Sequence, residues 1–337
     1  LATLEHLHSP NIWDMLDRLG DPLRTKYWLS REFVPGDDTF DWERVVRSLL
    51  AAGNVSAALH TSSFRAQHLA TSTLVEALRA AGRIARSSTD VETAGRHYHD
   101  IEELFSALDA RNDCVEPPDE LAALELDLLH WLDSHFSRRG LRYIPARLET
   151  DVGYFVDLIR RAYAPDDVAD SREADAQEAE RARHALHMWK SYPGSTLSDA
   201  EARDRVLLDW ATEALQRTAE VGRARTGLTK VAEVLARPEQ AEDGHWPSLA
   251  ARKLLETRRY RKLGRNLCDV KARSLAAWWV ADGGRTEHEL ADRYEISATA
   301  LRARWPATAT MLDELAASHR LEAIRRDDEA RRERLAS

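Results

Sequence analysis

Along nearly the whole chain, apolar residues return every three or four positions, and each such stretch is cut off by glycine, proline or a short polar break. That spacing marks amphipathic helices, because at 3.6 residues per turn positions i, i+3, i+4 and i+7 share one face. Strands would need alternation with a period of two and runs of β-branched residues, and few of either occur. "FDWERVVRSLLAAG" is the clearest case: Trp42, Val45, Val46, Leu49 and Leu50 form one stripe, and Gly53 supplies a left-handed stop. The expected fold class is all-α.

The same reading places helices along the chain. Ser9-Pro10 reads as a cap and first turn opening "NIWDMLDRL", closed by Gly20, and Asp21-Pro22 repeats the signal for "LRTKYWLS". Further helices are predicted at 69–81, 101–110, 119–136, 152–163, 173–189, 199–221, 228–236, 248–257, 270–281 and 306–332. Ser198 with Glu201, and Thr286 with Glu289, have capping-box spacing. Breaks fall at "GRIARSSTDVETAG", "CVEPPDE", "PDDVADSREADAQEAE", "SYPGSTLSD" and "PEQAEDGHWP". The acidic break is the expected hinge (165–180), between a helical-repeat half (1–164) and a second helical half (181–337) ending in a long charged helix. "VVRSLLAAGNVSAA" and "LVEALRAAGRIARS" share an apolar pair, a Leu and an Ala-Ala-Gly stop at an offset of 29 residues. That period fits helix-turn-helix repeats, so the expected architecture is an irregular α-solenoid of antiparallel helix pairs.

Composition narrows the function classes. The longest apolar run, Leu275 to Ala281, is too short to span a bilayer, and the first residues lack the basic and apolar regions of a secretory signal. The absence of an initial Met points to a piece of a longer chain. With only Cys114 and Cys268, neither a disulfide framework nor a four-cysteine zinc site can be built, and a cytoplasmic location is expected. Of 48 basic residues 42 are Arg, a bias that reads as the codon usage of a high-GC bacterium. Ten tryptophans are many, and Trp13, Trp28, Trp42, Trp131, Trp189, Trp210 and Trp278 all fall on helical stripes, which points to the core.

Several chemical motifs are approached and missed. "GRARTGLTK" lacks the Lys a P-loop needs where Leu228 stands, and a helix precedes it rather than a strand. "HYHD" offers His97, His99 and Asp100 to a metal or a hydrolase, but alternating histidines converge only on extended backbone. "HELAD" carries Asp292 where the zinc-protease helix needs its second His, and His184 with His187 fits a solvated helix face. There is no Gly-rich dinucleotide fingerprint and no nucleophile elbow. The expectation is no catalysis, no metal and no cofactor.

One segment stands out against the net charge of −9. "RRYRKLGRNLCDVKARSLAAWW" carries seven basic side chains, and between Arg252 and Arg273 the balance is nine basic against two acidic. Arg258, Arg259, Arg261, Lys262 and Arg265 are the candidate partner-binding residues. Downstream, "ELADRYEISATALRARW" scans like a helix-turn-helix, with Ala291 between helices, Ile296 in the turn and Ser297 capping a recognition helix that carries Arg302 and Arg304. Against nucleic acid stand Glu295, where such turns usually take Gly, and the acidic chain as a whole. A solvated basic face or a dock for an acidic partner surface is the favoured reading, with a nucleic-acid-binding module using 252–273 and 289–305 as the alternative.

At the level of whole segments, "NIWDMLDRLGDPLRTKYW", "VVRSLLAAGNVSAAL", "DVGYFVDLIRRAY", "ERARHALHMWKSYPGS" and "RYEISATALRARWPATATMLDELAASHRLEAIRRDDEAR" resemble, in the same order, the carboxy-terminal helical region of large bacterial multidomain proteins. The shared features are packing patterns such as Trp13-Asp14, Tyr27-Trp28 and Trp305-Pro306. The resemblance implies a phage-defence or regulatory setting with an ATPase or effector domain upstream. The resemblance also implies that the helix-turn-helix scan belongs to the last helical layer of a solenoid. The reading of the chain as a whole is a non-catalytic interaction or sensor module whose partner is another protein or an upstream domain of the same polypeptide.

Overall fold

The structure, a computed structural model, describes residues 12–32, 40–87, 91–111, 118–132, 139–167, 176–238, 240–275 and 284–336. Among them every regular element is helical. No described helix is long and apolar enough to cross a membrane. The chain divides into two compact units, Leu1–Ile144 and Pro145–Ser337. The acidic segment at 165–180 falls inside the second unit, and its residues 168–175 lie outside the described residues.

The first unit runs α1 (Ile12–Arg18), α2 (Asp21–Leu29), α3 (Trp42–Ala52), α4 (Val55–Phe64), α5 (Thr71–Ser87), α6 (Val91–Asp109), α7 (Pro118–Asp127) and α8 (Leu129–Leu132). α3 follows its sequence signal closely: Asp41 accepts the Arg44 amide, Val45, Val46 and Leu49 are fully buried, and Gly53 ends the helix at φ 83°. α4 was not foreseen. It packs against α3, α5 and α6 and buries small side chains, Ala57, Ala58, Thr61 and Ser62, beside Leu59. Such a surface carries no strong apolar stripe, and Ser, Thr and Val are weak helix formers. Asn54 fixes its start, because Oδ1 accepts the Ala57 amide while Nδ2 donates to the carbonyls of Trp28 and Arg31 at 2.9 and 2.7 Å. One amide side chain thus closes the end of α2 and opens α4.

The inferred repeat does not survive. Its first copy spans α3, the Gly53 turn and α4, whereas the second lies within the single helix α5, which runs on through the expected break to Ser87. Gly82 lies within that helix in close contact with Asp127 of α7: an added Cβ would come within 3.3 Å of the Asp127 Cβ. The helix expected at 119–136 is broken at Leu128, and its last residues, 133–138, are outside the described residues. Ser9-Pro10 and Trp278 also lie outside them, while Trp28, Trp42, Trp131, Trp189 and Trp210 are buried as expected.

The unit boundary falls within α9 (Tyr143–Thr150). The second unit continues with α10 (Val152–Ala162), α11 (Ala176–Met188), α12 (Ala200–Glu220), α13 (Ala224–Leu235), α14 (Leu249–Leu255), α15 (Arg261–Leu275), α16 (Arg285–Leu301) and α17 (Pro306–Ala336). Phe155, Trp189 and Trp210 meet edge to face at 4.9 to 6.3 Å, and Trp210 donates to the Leu148 carbonyl at 2.9 Å. Both capping-box readings are corrected: Asp199, not Ser198, accepts the amide at the start of α12, and α16 begins at Arg285 after Gly284. α15 begins nine residues before its expected start, because the cationic run itself is helical.

"GRARTGLTK" is a helix-to-helix turn: Gly222 adopts φ 71° between α12 and α13. Gly227 lets these helices touch, since a Cβ there would lie 2.1 Å from the Thr218 hydroxyl oxygen. Gly227→Ala should therefore force the helices apart and cost about 1 to 3 kcal/mol, as overpacking does. Urea unfolding at neutral pH measures it, and an unchanged midpoint would refute the close contact.

Candidate functional site

The cationic segment leaves α14 through a 3-10 turn (Arg258–Tyr260) and enters α15. α15 turns Leu263 and Leu267 into the core, which leaves Arg258, Arg259, Arg261, Lys262 and Arg265 exposed. None of the five forms an ion pair among the described residues, and Arg259 lies 5.6 Å from the Tyr260 ring. The structure thus brings all five candidate residues together on one short arc.

Arg252 is different, although it belongs to the same basic stretch. Its side chain is buried, donating to the Pro247 carbonyl at 2.9 Å, to Asp243 Oδ1 at 2.8 Å and to the His245 carbonyl. The guanidinium anchors the 243–247 loop, and its hydrogen bonds are the main reason the Asp243 carboxyl is held down at about 2. Lys271 sits 5.2 Å from the Trp246 ring.

The helix-turn-helix expected at 289–305 is not formed there. Glu295, Ile296 and Ser297 lie inside the uninterrupted helix α16, so no turn separates a recognition helix there. Ser297 is buried, with its hydroxyl 3.1 Å from His245 Nδ1. α16 and α17 form an antiparallel hairpin instead, tied by Arg326 to Glu287, His288 to Asp327, Arg320 to Asp292 and Glu295, and Arg302 to Asp313.

The "HYHD" motif splits as its helix dictates. Asp100 and His97, one turn apart on α6, face α4, whereas His99 is exposed on another side. The Ser63 hydroxyl donates to Asp100 Oδ1 at 2.6 Å, His60 Nδ1 is 3.5 Å from the same oxygen, and His97 Nδ1 is 3.7 Å from Oδ2. Burial opposes the charge on Asp100, but the adjacent His97 imidazole, the Ser63 hydrogen bond and nearby His60 hold its carboxyl below the ordinary range. Sequence reading missed His60 and Ser63 because both sit on the unforeseen α4. Ser63 gives its hydrogen bond to a carboxylate rather than to an imidazole, so the arrangement that activates a serine nucleophile is not made. Among the described residues no group of three His, Cys, Asp or Glu side chains is arranged to hold a metal ion. His187 is exposed and His184 half-buried on α11.

His99 lines a cleft of about 810 Å³ with Tyr98, Glu102, Glu103, Asp109, Arg139 and Arg142. Its floor is a buried ion network. Arg139 forks onto Asp109 at 2.7 and 3.1 Å, reaches Glu125 at 2.7 Å, and lies over Phe105 and Tyr143 at 4.7 and 5.4 Å. Glu125 is completely buried, and its two oxygens also accept the amides of Arg142, Tyr143 and Ile144 at 2.9 to 3.0 Å, at the start of α9. Burial works against Asp109 as well, and bonds from Arg139 and Tyr143 more than offset it, leaving its carboxyl below the usual range. The whole network is internally satisfied, which makes it a clamp on α9.

Comparison with protein-family models, with curated proteins and with solved structures found no match.

Two measurements test these assignments. Glu125→Ala removes the partner of a buried guanidinium and three helix-start bonds together, and should destabilise the protein by about 3 to 5 kcal/mol in chemical unfolding; a loss under about 1 kcal/mol, as at an exposed pair, would contradict it. Asp243 titrates below its ordinary value of 3.8 when folded, so its contribution is present above about pH 4 and lost as the pH falls toward 2. Asp243→Asn should therefore be less stable than the parent at neutral pH, with the gap closing near pH 2. A gap independent of pH would rule out that linkage.

Proposed function

We propose that this chain is a non-catalytic, all-helical interaction or sensor module of a larger bacterial protein. Its cationic arc docks an acidic protein surface, either a separate partner or an upstream domain of the same polypeptide. The observation that carries this reading is that Arg258, Arg259, Arg261, Lys262 and Arg265 lie within one stretch of eight residues, all exposed and none in an ion pair among the described residues, while several arginines elsewhere have carboxylate partners. Arg44 meets Asp17, Arg79 meets Glu120, Arg302 meets Asp313 and Arg320 meets Asp292 and Glu295. Cations left without an internal counter-charge steer and orient an anionic partner.

The architecture proposed is an irregular α-solenoid of antiparallel pairs. It is supported by packing within each unit, where helices meet their neighbours in sequence and the next ones along, as α3 does with α4 and α5 and α12 with α13 and α14. The resemblance to carboxy-terminal regions of bacterial multidomain proteins supports a regulatory or phage-defence setting in the cytoplasm. Nucleic acid is the rival occupant of the same arc, disfavoured by the net charge of −9 and by the continuous helix where a reading head was expected.

Arg259→Glu with Arg261→Glu tests the proposal. Exposed charges contribute little to folding, so stability should change by no more than about 0.5 kcal/mol. Binding to poly-glutamate, used as an acidic polypeptide, should be lost. Duplex DNA and RNA should bind weakly at two salt concentrations. Tight duplex binding that falls steeply with salt and vanishes in the double variant would replace the protein-docking reading with the nucleic-acid one.

A further inference from the structure

One face of α17 is unaccounted for by the fold and by the cationic arc. Leu321 and Ile324 are 71% and 55% exposed, among the most exposed large apolar side chains described. They belong to a continuous exposed line, Glu314, Ala317, Leu321, Ile324, Asp328 and Arg331, whose intervals alternate between three and four residues. That spacing is a heptad seam, the pattern by which one helix meets another along its length. The opposite side of α17, with Leu312, Leu315, Ala316 and Ala323, is buried.

The order of charges along the seam selects the occupant. An acidic residue opens it, a basic residue closes it, and the apolar pair lies between, midway from Glu314 to Arg331. Read backwards, the seam is its own complement. When two copies of α17 lie antiparallel with Leu321 opposite Ile324 of the other copy, the same register sets Glu314 opposite Arg331 and Ala317 opposite Asp328, each twice by symmetry. Glu314 and Arg331 are both exposed at the two ends of the line, and Arg331 is close enough to Asp327 on its own helix to help hold that carboxyl down. A parallel pairing would put like charges face to face. We propose that two copies of this chain associate through an antiparallel, two-fold pairing of α17, with Leu321 and Ile324 at the centre and Glu314 to Arg331 ion pairs at both ends. A self-complementary patch of this kind is what a two-fold interface requires. A seam this narrow gives an exchanging dimer rather than a permanent one.

Sedimentation velocity of the full chain through the micromolar range tests the proposal. The parent should move reversibly from monomer to dimer as concentration rises. Leu321→Glu with Ile324→Glu should remain monomeric with unchanged circular dichroism, since both side chains are exposed. Glu314→Arg should weaken the dimer roughly tenfold by placing like charges at both ends, and adding Arg331→Glu should restore it. A parent that stays monomeric, and so leaves the seam to another protein, overturns the proposal. So does a dimer that survives the double glutamate variant, or one that the charge exchange fails to rescue, because the antiparallel register predicts all three results.

Discussion

The first amides of an α-helix have no carbonyl within the helix to accept them, and in this chain carboxylates from distant positions take many of them. Glu43 accepts the Ala70 amide at the start of α5, and Glu125 holds the start of α9. Asp166 meets the Arg225 amide in α13, Asp204 the Ala250 amide in α14, Glu256 the amides of Ala307 and Thr308 in α17, and Asp327 the Gly284 amide before α16. Each bond also places a negative charge where the helix dipole favours it. Many short helices thus start where a neighbouring helix allows them to, so secondary and tertiary structure form together.

This arrangement explains which parts of the fold are legible in the sequence. Helices with local signals, such as α3 with Asp41 and Gly53 or α10 with Asp151 and its apolar stripe, lie within a residue or so of their expected bounds. α9 has no local start signal, because its cap comes from Glu125, 18 positions earlier than Tyr143. α4 is held by Asn54 and by neighbours that need small side chains, and neither fact leaves a periodic mark. The repeat failed for a related reason: Ala-Ala-Gly ends α3, whereas in α5 the same three residues are interior and their glycine admits Asp127.

The candidate site was legible in part. A run of basic residues can be counted, but counting cannot separate Arg252, sealed against Asp243 and two carbonyls, from the five cations that follow it. What divides them is the helical face on which each falls and whether a carboxylate lies within reach. The Asp100 cluster has the opposite history. Its His97 is visible in the motif, while His60 and Ser63 arrive from α4, and the cluster they complete joins two helices of the first unit.

The α16 and α17 hairpin restricts how this region can change length. Its ion pairs run in opposite directions along the two arms in one continuous register, from His288 with Asp327 near the open end to Arg302 with Asp313 near the tip. Deleting one residue from either arm turns every later side chain by about 100° around the helix axis and misaligns all the pairs beyond the lesion. Insertions and deletions in homologous chains should therefore collect in the tip at 302–305 and outside the arms, leaving both arm lengths frozen while their exposed residues drift.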